Sequence, residues 1–379
     1  MKSIYLDYAA ATPMDPTVLA AMQPYFTDQF YNPSATYLDG RAARQSLNDA
    51  RETIARILGS RPAEVIFTAG ATEANNLAIA GIMKNYPEAN VLVSSVEHDS
   101  VLEPAKSFAR KLIPVNNQGT VDLAALENLV DDKTVLVSVM YVNNELGSIQ
   151  PLADIAQLLN KLRNLRTQQN NKTPLYFHTD AAQAGNYLDL HVSRLGVDLL
   201  SLNGGKIYGP KQSGALYVKA GVKLQPLIVG GGQEFGLRAG TENLPAAVGL
   251  ARALELAQDK RHAEAERVMA LRHKFEDEIT SHFAMASISG GKHRAPHIVN
   301  VMFKDADNER LMMQLDEAGV ICAVGSACSA SSDEPSHVLG AIGLSEADAR
   351  ASLRFSFGRN TTEADIQKTI DCLRRLLPR

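Results

Sequence analysis

Short apolar runs that end in polar residues recur along this chain and alternate with stretches of helical spacing, and no other feature limits its fold so strongly. Val65–Phe67 leads into Thr68-Ala-Gly-Ala-Thr72, Val91–Ser95 into Glu97-His98, and Val135–Val142 into Asn143-Asn-Glu-Leu-Gly147. Further on, Pro174–Phe177 delivers His178-Thr-Asp180, and Val197–Ser201 delivers Asn203-Gly-Gly-Lys206. Bounded apolar runs of this length fit buried strands. Between them, Arg41–Leu58 carries Ala43, Leu47, Ala50, Ile54 and Leu58 at helical spacing. Glu73–Met83 and Ala153–Leu165 also read as helices, the second followed by a polar loop over 166–172. Strands that alternate with helices predict a mostly parallel α/β sheet. Ligands of such sheets bind beyond the carboxyl ends of the strands, so these polar residues are expected to share one site.

Residues 1–14 read as extended and turn-like. From Pro245 to about Phe283 the chain is strongly helical and bridges to a smaller unit. That unit holds the strand Ile298–Phe303, the helix Glu309–Ala318, a Gly/Ser/Ala-rich loop over 323–336 and a last helix over 362–377. The expected division gives residues 15–255 to a large domain and residues 1–14 with 256–379 to a small one.

Lys206 follows two glycines and precedes the Gly209-Pro210 turn, after which Gly214–Val218 reads as the next strand. A lone lysine there is ordinarily a solvated loop residue, but burial or a nearby cation would make its amine a nucleophile able to condense with an aldehyde. Asp180, at the preceding strand end, supplies the acid that a pyridine nitrogen needs. Thr68–Thr72 joins a strand to a helix, as either an anion site or a simple N-cap. His98 follows a strand, where it is a structural histidine or a proton carrier, and Asn143-Asn144 also reads as a turn. Cys328 sits among small, flexible residues that favour an exposed thiol, whereas Cys322 and Cys372 lie in apolar surroundings and read as buried. Arg354, in Ser352-Leu-Arg-Phe-Ser356, is suited to bind a carboxylate through two parallel hydrogen bonds.

Composition narrows the setting. Apolar residues make up 45% and charged residues 21%, an ordinary globular balance. A net charge of −4 argues against a basic nucleic-acid surface. No apolar run approaches the roughly 20 residues of a membrane span, and no signal peptide is evident. The 3 cysteines form no Cys-x-x-Cys pair, which fits reduced thiols. A cytoplasmic protein bound neither to membrane nor directly to nucleic acid is expected.

From Tyr5-Leu-Asp-Tyr-Ala-Ala-Ala-Thr-Pro13 to Leu353-Arg-Phe-Ser-Phe-Gly-Arg359, these motifs together resemble the NifS/IscS-type cysteine desulfurases of the class V aminotransferase group. The resemblance implies a homodimeric fold-type-I enzyme using pyridoxal 5'-phosphate, with Lys206 as its covalent anchor and the base at the substrate Cα. It implies that Ala71 and Thr72 hold the phosphate, and that His98 stacks on the ring and moves protons. Asp180 would face the ring nitrogen, and Asn144 and Gln183 would bond near the ring hydroxyl. Arg354 would take the substrate carboxylate, with Asn144 beside it and Arg359 as the lesser candidate. Thr241 would reach the phosphate of a neighbouring subunit. Cys328 would carry sulfur from L-cysteine as a persulfide, leaving L-alanine, for an iron–sulfur scaffold or a tRNA-thiolating enzyme. No metal enters the cofactor chemistry, although Cys328 would be able to bridge to a partner's iron–sulfur cluster. A related lyase or aminotransferase, such as a selenocysteine lyase, and a non-catalytic partner derived from the family are the alternative readings.

The chain departs from the family pattern at the phosphate. Asn203 and Gly205 replace a serine and a histidine that ordinarily donate to it, and Tyr37 stands where a histidine is common. Asn203 keeps an N–H donor, and Gly204-Gly205 is expected to bring backbone N–H groups to the anion, through positive φ if the loop is re-routed. The chain ends at Arg379, so the C-terminal extension with which longer members dock a scaffold is not expected.

Overall fold

The computed structural model describes residues 3–325 and 335–377. Its main sheet has seven strands: β2 (Val65–Thr68), β3 (Asn90–Ser94), β4 (Ala109–Ile113), β5 (Thr134–Ser138), β6 (Tyr176–Asp180), β7 (Leu199–Asn203) and β8 (Gly214–Val218). Their order is β2-β8-β7-β6-β5-β3-β4. The run from β7 to β4 is parallel, and β8 is antiparallel to both β7 and β2. The short Gly-Pro turn between β7 and β8 leaves no length for a crossover helix, which forces the reversal. Every residue of β3 and β5 is buried, as strands covered on both faces require. One face packs against the helices Leu38–Leu58 and Leu244–Asp259, and the other against Ala71–Met83.

A second sheet, β9 (Ala286–Ser289), β10 (Ile298–Phe303) and β12 (Ser352–Ser356), is antiparallel in the order β12-β10-β9. Phe275 of the helix Arg261–His282 and Ile366 and Ile370 of the helix Glu363–Leu376 join Phe303, Phe355 and Phe357 in its core. The N-terminal strand β1 (Ile4–Tyr5) runs parallel to β11 (Val320–Ile321), and Leu6 belongs to this second core. Residues 7–12 then cross to the main sheet, where Thr12 bonds to the Gly205 carbonyl.

The structure departs from the sequence reading in four places. The helical run beyond Pro245 is two helices, which meet at Lys260. The helix Leu152–Gln168 continues into the expected polar loop because Arg166 is buried and donates to the carbonyls of Asp131, Thr134, Thr173 and Pro174. β5 ends at Ser138 rather than Val142, and the next residues bond to β6 carbonyls as they turn toward the cleft. β4, unanticipated, is a sheet-edge strand whose Ala-Arg-Lys-Leu-Ile sequence hides it among charges. Among the described residues no helix is long and apolar enough to cross a membrane.

Candidate active site

The polar strand ends do converge. A cleft of about 180 Å³ is lined from the main sheet by Ala71, Thr72, His98, Asn144, Asp180, Gln183, Asn203 and Lys206, and from the second sheet by Arg354. Ala9 and Ala10 complete the wall from the N-terminal segment.

Asp180 is 5% exposed at the end of β6. Its Oδ2 accepts a hydrogen bond from Asn75 Nδ2 at 2.7 Å and its Oδ1 accepts one from the Ala182 N–H at 2.9 Å. Both carboxylate oxygens are thus committed to donors in a shielded place. Lys206 closes a 3₁₀ turn, Gly204–Lys206, and its Nζ donates to the carbonyls of Ala9 (2.9 Å) and Ala10. The N-terminal segment therefore positions this amine.

His98 is the N-cap of the helix Asp99–Ala105, where its Nδ1 accepts from the Ser100 N–H at 3.0 Å and lies 2.9 Å from Ser100 Oγ. Gln183 donates through Nε2 to the Ala9 carbonyl at 2.9 Å, and its Oε1 lies 3.3 Å from His297 Nε2. His297 is stacked on Tyr187, and burial pushes its pKa down to about 3, with Arg354 and Arg272 adding to the effect. The ring is therefore neutral and a donor to Gln183. Of the two asparagines after β5, Asn143 is spent in the turn, accepting from the N–H groups of Glu145 and Leu146 and donating to the Val96 carbonyl. Asn144 faces the cleft.

Arg354 is 1% exposed. Its Nη1 donates to the Asn144 carbonyl at 2.9 Å and its Nη2 pairs with Asp7 Oδ1 at 2.7 Å, while Nε is buried with no protein partner. A guanidinium poised at a cleft with donor capacity in hand is suited to an incoming carboxylate. Arg359 is committed elsewhere, paired with Asp15 and lying 4.0 Å over the Tyr208 ring.

At the anion end, α-helical residues begin at Ala71 behind Gly70, whose φ of 139° only glycine adopts readily. A Cβ at Gly214 would lie 2.6 Å from Gly70 Cα, so the turn is packed glycine on glycine. No side chain caps this helix, which leaves its first turn to meet an anion in the cleft. Gly205 does not behave as expected. Its φ is not positive, it does not line the cleft, and its N–H donates to Asn203 Oδ1 at 3.0 Å. The Gly204 N–H is likewise spent, on the Ser213 carbonyl. The asparagine side chain, rather than the glycine backbone, faces the anion end: with Oδ1 used locally, its Nδ2 is the donor left for a ligand.

Thr241 is exposed, just before the helix Leu244–Asp259, and does not line this cleft. Cys328 lies outside the described residues. Cys322 is buried, and burial pushes its thiol up to about 12, with Asp7 adding to the effect; Cys372 is buried too. Among the described residues no cluster of His, Cys, Asp and Glu could hold a metal ion.

Sequence reasoning missed Asp7, Asn75, Ser100, His297 and the acids Glu97 and Glu145. Glu97 is fully buried and accepts from the Met140 N–H; burial holds its carboxyl well above the usual carboxylate range, and the charge on Asp180 adds to this. Glu145, also raised by burial, accepts from Ser336 Oγ at 2.6 Å. His337 donates to the Glu97 carbonyl at 3.0 Å, so the segment that begins the helix His337–Ala341 is pinned beside the cleft. The available signal was a polar residue inside an apolar stretch: Asp7 between Leu6 and Tyr8, and Asn75 in a helix rich in Ala, Leu and Ile.

Residues 4–369 match the family model "Aminotransferase class-V". The chain belongs to the class V aminotransferases. It is 40% identical to the cysteine desulfurase IscS of Dictyoglomus turgidum, covering 99% of this chain and 95% of that protein. Among solved structures, a NifS-like protein superposes with a TM-score of 0.89 at 31% identity, covering 99% of both chains. "SspA in complex with cysteine" superposes at 0.79 and is 39% identical over 93% of this chain and 98% of that one. The class V fold accounts for the doubly covered, mostly parallel sheet and for the cleft at its carboxyl edge.

Proposed function

We propose that this class V enzyme is a pyridoxal-phosphate-dependent cysteine desulfurase that takes sulfur from L-cysteine and leaves L-alanine. The observation that carries the reading is the meeting of Lys206, Asp180 and His98 in one cleft with Arg354 at its rim. The donor set fits the cofactor: an amine, a carboxylate accepting two hydrogen bonds, an imidazole, and a helix start with no side-chain cap. When bound, pyridoxal phosphate supplies an electron sink that stabilises negative charge at the substrate Cα.

The residues divide the remaining work. Lys206, whose Nζ is held by the Ala9 and Ala10 carbonyls, would be the residue that anchors the cofactor and the base for the Cα proton. Asp180 would serve the ring nitrogen, Ala71, Thr72 and Asn203 would hold the phosphate, and Gln183 and Asn144 would orient the ring, all from the wall of one cleft. Arg354 exchanges part of its bonding for the substrate carboxylate, with Asp7 holding the guanidinium in plane. His98 carries the second proton. The Cys328 thiolate attacks the substrate sulfur; an S–S bond forms, the substrate C–S bond breaks, and a persulfide stays on the enzyme. The acceptor is an iron–sulfur scaffold or a tRNA-thiolating enzyme.

The reading includes a homodimer, in which a neighbouring subunit would cover exposed apolar side chains such as Phe30, Leu38, Val229 and Phe235, each at least 60% exposed here. In it, Thr241 would serve a neighbour's phosphate rather than its own. The test is incubation of the purified protein with L-cysteine, with and without a reductant, and assay of alanine and sulfide. Alanine in both arms and sulfide only with reductant is expected; a protein saturated with pyridoxal phosphate that forms no alanine would overturn the reading.

A further inference from the structure

Asp180 and His98 are joined by hydrogen bonds whose direction is dictated from one end. Asn75, fully buried in the helix Ala71–Met83, spends both hydrogens of its amide: one on Asp180 Oδ2 at 2.7 Å and one on Ser100 Oγ at 2.8 Å. The amide cannot be turned over, since its oxygen would then face a carboxylate oxygen. That orientation leaves Asn75 Oδ1 buried with no protein partner, a cost the site bears to keep both donors aimed. Ser100 Oγ, having accepted from Asn75, keeps its single hydrogen for His98 Nδ1 at 2.9 Å. The Ser100 backbone N–H points at the same nitrogen from 3.0 Å.

We propose that Asn75 and Ser100 are positioning residues that fix the tautomer of His98, with Nδ1 the acceptor and the proton on Nε2. Two donors converge on Nδ1, so a proton there would require the Ser100 hydroxyl to turn away and would meet the helix N–H head on. Asp180 sets the order of donors from the other end. The relay therefore links the Asp180 carboxylate to the His98 imidazole through Asn75 and Ser100, and it presents that imidazole with its proton at one known atom. Its meaning for turnover rests on the desulfurase reading; the tautomer itself does not.

The experiment is long-range proton–nitrogen NMR of the cofactor-bound protein with ¹⁵N-labelled histidine and no substrate. Loss of one ring's signals in His98→Gln assigns that ring among the 9 histidines. A pyridine-like Nδ1 and a pyrrole-like, protonated Nε2 are expected. In Ser100→Ala the Nδ1 signal should move toward the average of the two tautomers, and kcat should fall about fivefold with KM for L-cysteine little changed, as loss of one neutral hydrogen bond implies. Asn75→Ala should shift the ring in the same direction; if that buried variant does not fold, Ser100→Ala decides alone. A ring protonated on Nδ1 in the parent protein, or a spectrum unchanged by Ser100→Ala, would overturn the relay. The expected spectrum in a protein that forms no alanine would overturn the desulfurase reading and leave the relay standing.

Discussion

The two ends of the cleft are built on different terms. At the ring end each functional group has its partners: Asp180 takes two donors, His98 is held by Ser100, and Arg354 is braced by Asp7 and Asn144. At the anion end the donors are a bare helix start and one asparagine, and Gly205 contributes no side chain. Charges that must keep a fixed geometry through a reaction need preorganised neighbours. An anion that stays put needs only enough donors in total, so its cradle can lose one and still work.

The sharpest way to break this contrast is at Lys206. Lys206→Ala should lower turnover by about 10⁴-fold or more, since on the proposed function it removes both the covalent anchor and the base. The purified parent should be yellow, and borohydride should fix the cofactor onto Lys206 by mass spectrometry. A colourless parent that cannot be reconstituted would end the comparison. Asp180→Asn should be next, at about 10³-fold in kcat/KM, because a charge about 4 Å from a cation in a shielded site is worth about 4 kcal/mol. A loss no larger than tenfold would mean that the ring end is not electrostatically organised.

A smaller effect belongs to the sheet beneath the site. His178 bridges Ser138 Oγ at 2.8 Å and Ser201 Oγ at 3.0 Å, tying β5, β6 and β7 two residues before Asp180. Burial pushes its pKa down to about 3, from 6.5. The unfolded chain therefore binds a proton below about pH 6.5 that the folded chain refuses until about pH 3, and stability falls as pH falls through that window. The slope should be about 1.4 kcal/mol per pH unit for this residue, with His297 adding a similar share. In urea titrations between pH 4 and 6, His178→Gln should flatten the dependence by about one proton; an unchanged slope would refute the assignment.

The smallest effect is expected at the anion end. Around Gly205 a Cβ would meet Asn203 Oδ1 at 3.5 Å and Lys211 Cγ at 3.8 Å, ordinary contacts, and φ poses no obstacle. Gly205→His should therefore fit and tighten cofactor binding by up to about tenfold, measured as retention on dialysis. Weaker retention would show that the cradle is already complete.

Asp180, Lys206, His98 and Arg354 were legible in the sequence because each follows or sits within an apolar run, and sheet topology gathers such residues at one edge. Gly205 was misread because glycine invites an argument from positive φ, whereas here its φ is ordinary, a Cβ would meet only ordinary contacts, and Asn203 takes up its N–H. Asp7 and Asn75 stand out only as polar residues in apolar stretches, and the roles of Asn75, Ser100, Asp7 and His297 were not legible because they lie in partners that become neighbours only after folding. Ser100 and Asn75 are 25 residues apart, and Asn75 and Asp180 are 105 apart. The edge strand β4 escaped because Arg110 and Lys111 break up its apolar run, and the end of the helix Leu152–Gln168 because a buried arginine looks polar in sequence.

The N-terminal segment sets an order of events during synthesis. Asp7 meets Arg354 across 347 positions, and β1 finds its neighbour only at β11. The same segment supplies the carbonyls that hold the Lys206 amine. At roughly 5–20 residues per second on a ribosome, it waits some tens of seconds for those partners to emerge. The main sheet can form in that interval, but the N-terminal segment has neither its strand partner nor the arginine for Asp7 until β11 and β12 are made. Assembly of the cleft is thus tied to the synthesis of β12, and ribosome-stalled chains that lack it should fold a sheet without a complete cleft.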